Sequence, residues 1–286
     1  MHKKRIIGII IVKNGIVVQS INFNKYLPVG SIPIALQYLD NWGIDEIVII
    51  DIDATRYGTK SILENLDLHS RNCFVPITYA GGLADIDSVR MAFKKGADKV
   101  MFNHSFISDP SLIQNTIKIF GSQSTIVSID FVKNDNEYYV YNYLDGNRSN
   151  QSVKNLVDRA IDLEVGEILL NSVDNDGRYN GFEHRVLDEL GDVQVPLILA
   201  GGAREADHFT KVFKKYNIDA LAAGNMFNFV EHSAIKLKAS MGLPDLRYDS
   251  YVNYRRQKLY DDQRLEKHDD EYLSELLYVK LLDRKI

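Results

Sequence analysis

Two pairs of adjacent glycines are the residues best suited to bind an anion. Gly81-Gly82 and Gly201-Gly202 each follow a short apolar run. Glycine lets backbone N–H groups approach a phosphate closely, and a following helix adds the positive end of its dipole. A single pair also occurs in ordinary tight turns, so the informative feature is the repetition, at a shift of 201 − 81 = 120 residues. The spacing predicts two phosphate sites.

Small and polar residues would complete each phosphate site. The first site combines Gly82 with Asn103 and His104, although a lone loop histidine can equally have a structural role. The second site combines Gly202 with residues of other loops, namely Asp176, Gly177, Gly224 and Asn225. Two such sites on opposite sides of one cavity predict a small molecule with a phosphate at each end.

Asp130 is the candidate acid or base. It ends the run Thr125–Asp130, so its carboxylate would point into a site at the end of a strand and could exchange a proton there. The alternative is a structural carboxylate that accepts N–H bonds from a loop. Asp174 and Asp176 flank Asn175 just before Gly177, a pattern that also fits a simple turn.

The elements that must position these residues are short, evenly spaced, β-branched runs separated by segments of helical length. Continuous hydrophobicity is typical of parallel strands buried on both faces, and eight βα units in about 240 residues predict a (β/α)8 TIM barrel. A doubly wound sheet would instead place a glycine fingerprint after the first strand. The eight predicted strands are Ile6–Val12, Glu46–Asp51, Val75–Tyr79, Lys99–Phe102, Thr125–Phe131, Glu167–Asn171, Pro196–Ala200 and Asp219–Ala223.

The repeated glycine pairs predict that the barrel consists of two half-barrels. The same shift of 120 carries Asp51 to Asn171, and each half would hold four strands. We place the barrel at residues 1–243 and a charged, tyrosine-rich extension at 244–286. Leu273, Leu276, Leu277 and Leu281 at helical spacing predict that this extension is helical and either packs on the barrel or docks a partner.

Composition excludes several classes of protein. The 286 residues carry a net charge of −5, which argues against a nucleic-acid footprint over the whole chain. One cysteine excludes an internal disulfide and a thiolate zinc cluster. No apolar run approaches the roughly 20 residues of a membrane span. We expect a cytoplasmic protein without a metal or a cofactor.

A set of short motifs resembles the cyclase (synthase) subunit of imidazole glycerol phosphate synthase, the HisF family. The resemblance covers about residues 1–240 and implies the half-barrel duplication and a bisphosphorylated substrate held at both phosphate sites. It also implies a HisH-like glutaminase subunit docked at the N-terminal end of the barrel, whose ammonia passes through the barrel core. The motifs are Lys4–Ile7, Phe23, Gly96–Val100, Phe120–Gln123, Gly166–Leu170 and Asp174–Gly177.

The chain departs from the family pattern at the predicted mouth. The family uses two catalytic aspartates, one at the end of the first strand and one at the end of the fifth. Asp130 matches the second, but the first position is Ile11, which cannot exchange a proton. Gln19 stands where the family usually has a lysine, and His104 replaces a small hydroxyl residue. Its own cyclase activity is therefore doubtful, and whether the chain is itself an enzyme stays open.

The opposite end of the barrel follows the family pattern. The resemblance implies a ring of charged residues that gates the entrance for ammonia, and it assigns this role to Arg5, Glu46, Lys99 and Glu167. Ordinary capping of a barrel floor is the alternative interpretation. Asp98 matches the family residue that faces the glutaminase.

The chain departs from the family pattern at the mouth and follows it at the floor, and in this combination it resembles a side branch of the family. Its members are encoded with surface-polysaccharide genes and provide ammonia for the amidination of an N-acetyl sugar, with a separate sugar amidotransferase as a further partner. They share the apolar residue at position 11 and the sequence Asp51-Ile52-Asp53-Ala54. Two alternatives stay open: a genuine cyclase subunit of histidine biosynthesis, and a non-enzymatic scaffold that binds a phosphosugar.

Overall fold

A closed barrel of eight parallel strands dominates the computed structural model, which describes residues 3–248, 254–260 and 264–275. The barrel order is β1-β4-β5-β6-β7-β10-β11-β12, and β12 pairs with β1 to close the ring. This confirms the predicted TIM barrel. The strands up to this point are β1 (Arg5–Lys13), β2 (Ile16–Ile21), β3 (Lys25–Gly30), β4 (Glu46–Asp51), β5 (Ile77–Ala80), β6 (Lys99–Phe102), β7 (Thr125–Asn134), β8 (Glu137–Asn142), β9 (Asn147–Ser152), β10 (Glu167–Ser172), β11 (Leu197–Ala200) and β12 (Ala220–Ala223).

Helices connect the strands on the outside of the barrel. Local signals fix several of their starts: Asp85 forms a capping box with Ser88, and Pro110 occupies the first helical position of its helix. The helices are α1 (Ile32–Asn41), α2 (Ala54–Tyr57), α3 (Ser61–Glu64), α4 (Leu66–His69), α5 (Ile86–Lys94), α6 (His104–Ser108), α7 (Pro110–Phe120), α8 (Val153–Asp162), α9 (Val186–Leu190), α10 (Ala206–Lys215) and α11 (Ser233–Met241).

The strands of the two halves of the barrel follow one another in the same order. In each half the first strand continues into an antiparallel hairpin, β2–β3 after β1 and β8–β9 after β7. The predicted equivalence of Asp51 with Asn171 is wrong by one residue. Ile50 pairs with Ile11 as Asn171 pairs with Asp130, so the shift from β4 to β10 is 171 − 50 = 121, and Asp51 corresponds to Ser172.

The strands are apolar on both faces because they separate two cores. Side chains that point outward pack under the helices. Side chains that point inward fill the barrel, in agreement with the alternation of a strand. These inner residues, the inner core, are Ile7, Val48, Ala80, Met101, Ile126, Leu169, Ile198, Ala200, Ala220 and Ala222.

The chain just after α11 contacts the N-terminal end of the barrel. The backbone N–H of Lys4 donates to Asp245 O at 2.9 Å, and the neighbouring Leu246 is fully buried. In the described part of the chain, no helix has the length and apolar character needed to cross a membrane.

The predicted helical extension is only partly right. An antiparallel pair, β13 (Tyr254–Leu259) and β14 (Leu265–Lys267), precedes a short α12 (Asp270–Ser274). Leu265 packs on Ile235 and Ala239 of α11, so an outside helix supports the pair. The segment 254–259 has no apolar residues at helical spacing, so the leucine pattern that predicted a helix further along the chain does not apply to it. Leu276, Leu277 and Leu281 lie outside the described residues.

Candidate active site at the barrel mouth

A cavity of about 320 Å³ opens at the C-terminal ends of the barrel strands. Its wall includes most of the residues that the sequence singled out, and they come from loops after different strands. Residues of the inner core form the bottom of this cavity. The mouth is therefore the one place where these distant residues meet, as expected for a TIM barrel. Predicted site residues on its wall are Gly82, Asn103, His104, Asp130, Asp176, Gly177, Gly202, Gly224 and Asn225.

Asp130 is held between two amides. Asn103 Nδ2 donates to Asp130 Oδ2 at 2.9 Å, and Asn171 Nδ2 donates to Asp130 Oδ1 at 3.1 Å. The carboxylate is only 6% exposed, and burial raises the pKa of Asp130 to about 7, although both amide bonds oppose the rise. A carboxyl group with this pKa can either give or take a proton near neutral pH.

The first half carries no such group at the equivalent position. Ile11 occupies the place of Asp130, and Ile50 occupies the place of Asn171. Both isoleucines line the cavity. At these two positions the second half presents a carboxyl group with an amide partner, while the first half presents two isoleucines.

In the first glycine turn, the N–H group that would bind an anion is hydrogen-bonded within the protein. The Gly82 N–H donates to Thr55 Oγ1 at 3.1 Å. The Asn103 amide, besides its bond to Asp130, donates to Ser128 O at 3.2 Å. The group that occupies the Gly82 donor is therefore the Thr55 hydroxyl, which lies outside the predicted phosphate site. The phosphate role of Gly82, Asn103 and His104 stays a prediction.

The second glycine turn keeps its donors. The Gly202 and Ala203 N–H groups make no hydrogen bond within the described residues. Gly202 has φ = +92°, and a Cβ there would lie 2.2 Å from Gly181 O, so only glycine fits. Gly202 also accepts from the Gly181 N–H at 2.8 Å, which ties the turn to the preceding loop. The turn can therefore present backbone donors to an anion.

Other members of the second predicted site anchor the β2–β3 hairpin. Asp176 Oδ2 accepts from Ser20 Oγ at 2.6 Å and from the Phe23 N–H at 3.2 Å. The Asn225 side chain accepts from the Ser20 N–H and donates to Ser20 O. Gly177 has φ = +68°, and a Cβ there would lie 2.3 Å from Ser20 O. These side chains position the hairpin, and their role toward a phosphate stays a prediction.

The two hairpins meet over the mouth, which sequence analysis did not foresee. The rings of Phe23 and Tyr141 contact edge to face at 6.1 Å. Arg56 Nη2 donates to Tyr143 O at 2.8 Å, and the Tyr143 side chain bonds Thr55. Each hairpin is thus fixed to a loop of the other half. The aromatic residues at these hairpin turns were the only sequence signal.

The floor of the barrel is closed by a ring of ion pairs. Arg5 bonds Glu46 at 2.8 Å and Glu167 at 2.8 Å, and Lys99 Nζ lies 3.2 Å from Glu46 and also bonds Glu167. Burial alone would raise the pKa of Glu167, but Arg5 and Lys99 outweigh it and lower that pKa. The four side chains do meet in one ring at the N-terminal end. Their role as a gate stays a prediction.

Asp98 has a structural partner that sequence analysis missed. Its Oδ2 accepts from the Ile77 N–H at 2.8 Å. Asp219 does the same for Leu197 at 3.1 Å, and Asp45 does so for Ile6 at 2.7 Å. A carboxylate just before a strand therefore caps the start of the preceding strand in three places.

The closed barrel, the repeated order of its strands and the buried acid at its mouth define a (β/α)8 barrel protein with a cavity at the C-terminal face of the strands. The family model described as "Histidine biosynthesis protein" matches residues 5–233. This match spans most of the chain, and relatives more than 30% identical agree with it. The chain belongs to this histidine biosynthesis family and is a HisF-like barrel.

Three relatives define the likeness. A Vibrio vulnificus protein, provisionally named imidazole glycerol phosphate synthase subunit hisF2, is 38% identical over 89% of this chain and 94% of its own length. The imidazole glycerol phosphate synthase subunit HisF of Chlorobaculum parvum is 35% identical over 83% of this chain and 95% of its own length. The HisF subunit of Bacillus cereus is 37% identical over 81% and 92%.

Proposed function

We propose that this barrel pairs with a HisH-like glutaminase and supplies ammonia for the amidination of an N-acetyl sugar in surface-polysaccharide biosynthesis. A sugar amidotransferase would perform the transfer itself. The observation that carries the proposal is the pair Ile11 and Ile50 at the register of Asp130 and Asn171. With isoleucine at position 11, the mouth lacks one of the two carboxylates that the resemblance assigns to the family's ring closure.

The barrel interior supports passage of ammonia. Above the floor ring lies the inner core, which is lined by aliphatic side chains, four alanines among them. Neutral ammonia can pass such a lining, whereas ammonium would lose its hydration without gaining a partner. The ring would admit the molecule at one end, and the mouth would release it at the other.

The floor ring would act as the entrance. Its cations and carboxylates neutralise one another, so a neutral molecule meets no net charge at the opening. Lys99 and Arg5 are each bonded to both glutamates, and either cation could leave one partner without leaving both. Rearrangement of one side chain would therefore open the ring at a modest energetic cost.

The runner-up is a genuine cyclase subunit of histidine biosynthesis. Family membership is compatible with it, as are the names of the HisF relatives. Asp130 also supports it, because a carboxyl with a pKa near 7 is suited to proton transfer. Against it stand the missing carboxylate at position 11 and the occupied donor at Gly82.

Complementation of a histidine auxotroph that lacks the cyclase subunit separates the two functions. We expect no growth, with glutamine hydrolysis by the cognate glutaminase still stimulated by this chain. Growth, or turnover of the bisphosphorylated family substrate with ammonium salts at the family's usual rate, would establish the cyclase. If the chain supports no growth and does not stimulate the glutaminase, the phosphosugar scaffold is the function that remains.

Lys99→Ala tests the ammonia route. We expect a folded barrel that still binds its glutaminase but couples glutamine hydrolysis poorly to amidination. Lys95→Ala is the matched control, because Lys95 pairs with Asp67 on the outer surface and lies outside the ring. If Lys99→Ala couples glutamine hydrolysis to amidination as well as the wild type does, the proposed route through the barrel is wrong.

A further inference from the structure

Two arginines and a tyrosine at the second-half edge of the mouth have no part in the proposed function. We call Arg178, Tyr179 and Arg204 the arginine lip. The Arg204 guanidinium lies 5.8 Å from the centre of the Tyr179 ring, a cation–π contact. Tyr179 itself lines the mouth cavity. The arginine lip therefore borders the site.

The loop that carries the lip is held in an unusual conformation. Tyr179 has φ = +63°, which a bulky residue adopts only when its surroundings enforce it. The enforcing contacts are on both sides: Arg178 Nε donates to Asn22 Oδ1 at 2.9 Å, and the Gly181 N–H donates to Gly202 O at 2.8 Å. The lip is thus attached to the β2–β3 hairpin and to the second glycine turn.

The arginines of the lip have donors to spare. Both residues are exposed, and neither forms an ion pair with a described residue. Arg178 uses only Nε, and the Arg204 guanidinium donates no hydrogen bond within the described part of the chain. Elsewhere at the mouth, Lys13 pairs with Asp53 at 3.3 Å, and Arg56 connects to the other half of the barrel through Tyr143 O.

Backbone donors lie next to these arginines. The Gly202 and Ala203 N–H groups are not used by described residues, and Ala203 directly precedes Arg204. Two backbone donors are enough to orient one phosphate. Arg204 follows this turn directly, and Arg178 belongs to the loop that Gly181 ties to the turn. Two guanidinium groups exceed the need of a single phosphate, and a guanidinium fork matches the oxygens of another.

We propose that the arginine lip and the second glycine turn together bind a diphosphate ester. The inner phosphate accepts from Gly202 and Ala203, the outer phosphate accepts from Arg178 and Arg204, and the esterified group enters the mouth. This deepens the proposed function, on which the identification of the ester as an activated sugar rests. The first half offers no equivalent, because the Gly82 donor is bonded to Thr55.

Calorimetric titration with three probes tests the proposal: UDP-N-acetylglucosamine, N-acetylglucosamine 1-phosphate and inorganic pyrophosphate. We expect both diphosphates to bind at least about tenfold more tightly than the monophosphate, since charge-assisted bonds are the stronger ones. Arg204→Gln and Arg178→Gln should each weaken the diphosphates about tenfold. Binding of the monophosphate should stay within about twofold.

Arg90→Gln is the matched control, because it removes an exposed arginine on α5 and should change none of the affinities. Tighter binding of the sugar diphosphate than of pyrophosphate would also place the sugar in the mouth. Equal affinity for mono- and diphosphate, or unchanged affinities in both lip variants, would overturn the proposal. Stimulation of the glutaminase needs none of these probes, so failure here and failure of the ammonia route are separately visible.

Discussion

The two halves of the barrel carry different side chains at corresponding positions of the mouth and the same side chain at corresponding positions of the floor. At the mouth, Ile11 and Ile50 occupy in the first half the register that Asp130 and Asn171 occupy in the second. At the floor the same halves contribute matching carboxylates, Glu46 and Glu167. The repeat therefore duplicates positions, while single side chains at the strand ends decide whether a position can exchange a proton.

The side chains that hold the floor together are thus distinct from the side chains that could exchange protons at the mouth. The floor ring takes Arg5, Glu46 and Lys99 from the first half and Glu167 from the second, so a change in either half would disturb it. The mouth arrangement depends on single side chains, because the amide partners of Asp130 are Asn103, which follows β6, and Asn171 of β10. A half can thus lose its mouth chemistry and keep its structural share of the barrel.

The largest effect is expected at the floor ring. Glu167→Ala leaves Arg5 and Lys99 with only Glu46 and should lower the free energy of unfolding by about 3 kcal/mol. Glu46→Ala should cost less, because Arg5 makes two hydrogen bonds to Glu167 and only one to Glu46. Urea denaturation of both variants checks this order, and a larger loss in Glu46→Ala would contradict it.

Transplanting the second-half pair into the first half is the next test. Ile11→Asp places a carboxylate among apolar side chains and should lower the free energy of unfolding by about 2 kcal/mol. The double variant Ile11→Asp with Ile50→Asn restores the amide partner and should recover about 1 kcal/mol of that loss. Additive losses in the double-mutant cycle would mean that register alone does not create the pair.

The pH dependence of stability distinguishes Asp130 from its first-half counterpart. Its pKa is about 7 in the folded protein and lower in the unfolded chain, so the unfolded chain loses its proton first as the pH rises. Stability due to this carboxyl therefore falls by about 1 kcal/mol between pH 6 and pH 8. Asp130→Asn should show a flatter profile over this range when denaturation is measured at both pH values.

The smallest effect in stability is expected for the capping carboxylates. Asp98→Ala and Asp219→Ala each remove one acceptor from a strand start and should each lower the free energy of unfolding by about 1 kcal/mol. Only Asp98→Ala should also depress glutamine hydrolysis by the partner subunit. Equal glutaminase activity in the two variants would reduce Asp98 to a strand cap.

The barrel itself could be predicted because its signals are local. Strands such as Glu46–Asp51 and Lys99–Phe102 are short apolar runs with defined ends, and the structure gives them the same bounds. The floor ring follows from the same logic, since residues that start neighbouring parallel strands must lie at one end of the barrel. Only the family resemblance pointed to a gating role for those four residues.

The fine structure of the mouth could not be predicted, because it depends on contacts between distant segments. The amide bonds to Asp130 span 27 and 41 residues. The β9 strand, with the sequence Asn-Arg-Ser-Asn-Gln-Ser, has no apolar alternation and is defined by its pairing with β8. The bond between Thr55 and Gly82 also joins residues 27 positions apart, and no local pattern indicates it.

The crossing of the hairpins has a consequence for exchange kinetics. Phe23 packs on Tyr141, and each hairpin is bonded to a loop of the other half, through Ser20 to Asp176 and through Tyr143 to Arg56. Opening one hairpin breaks a contact that the other also needs. The backbone amides of both turns should therefore exchange with solvent through one shared opening event, and the two half-barrels behave at the mouth as a single cooperative unit.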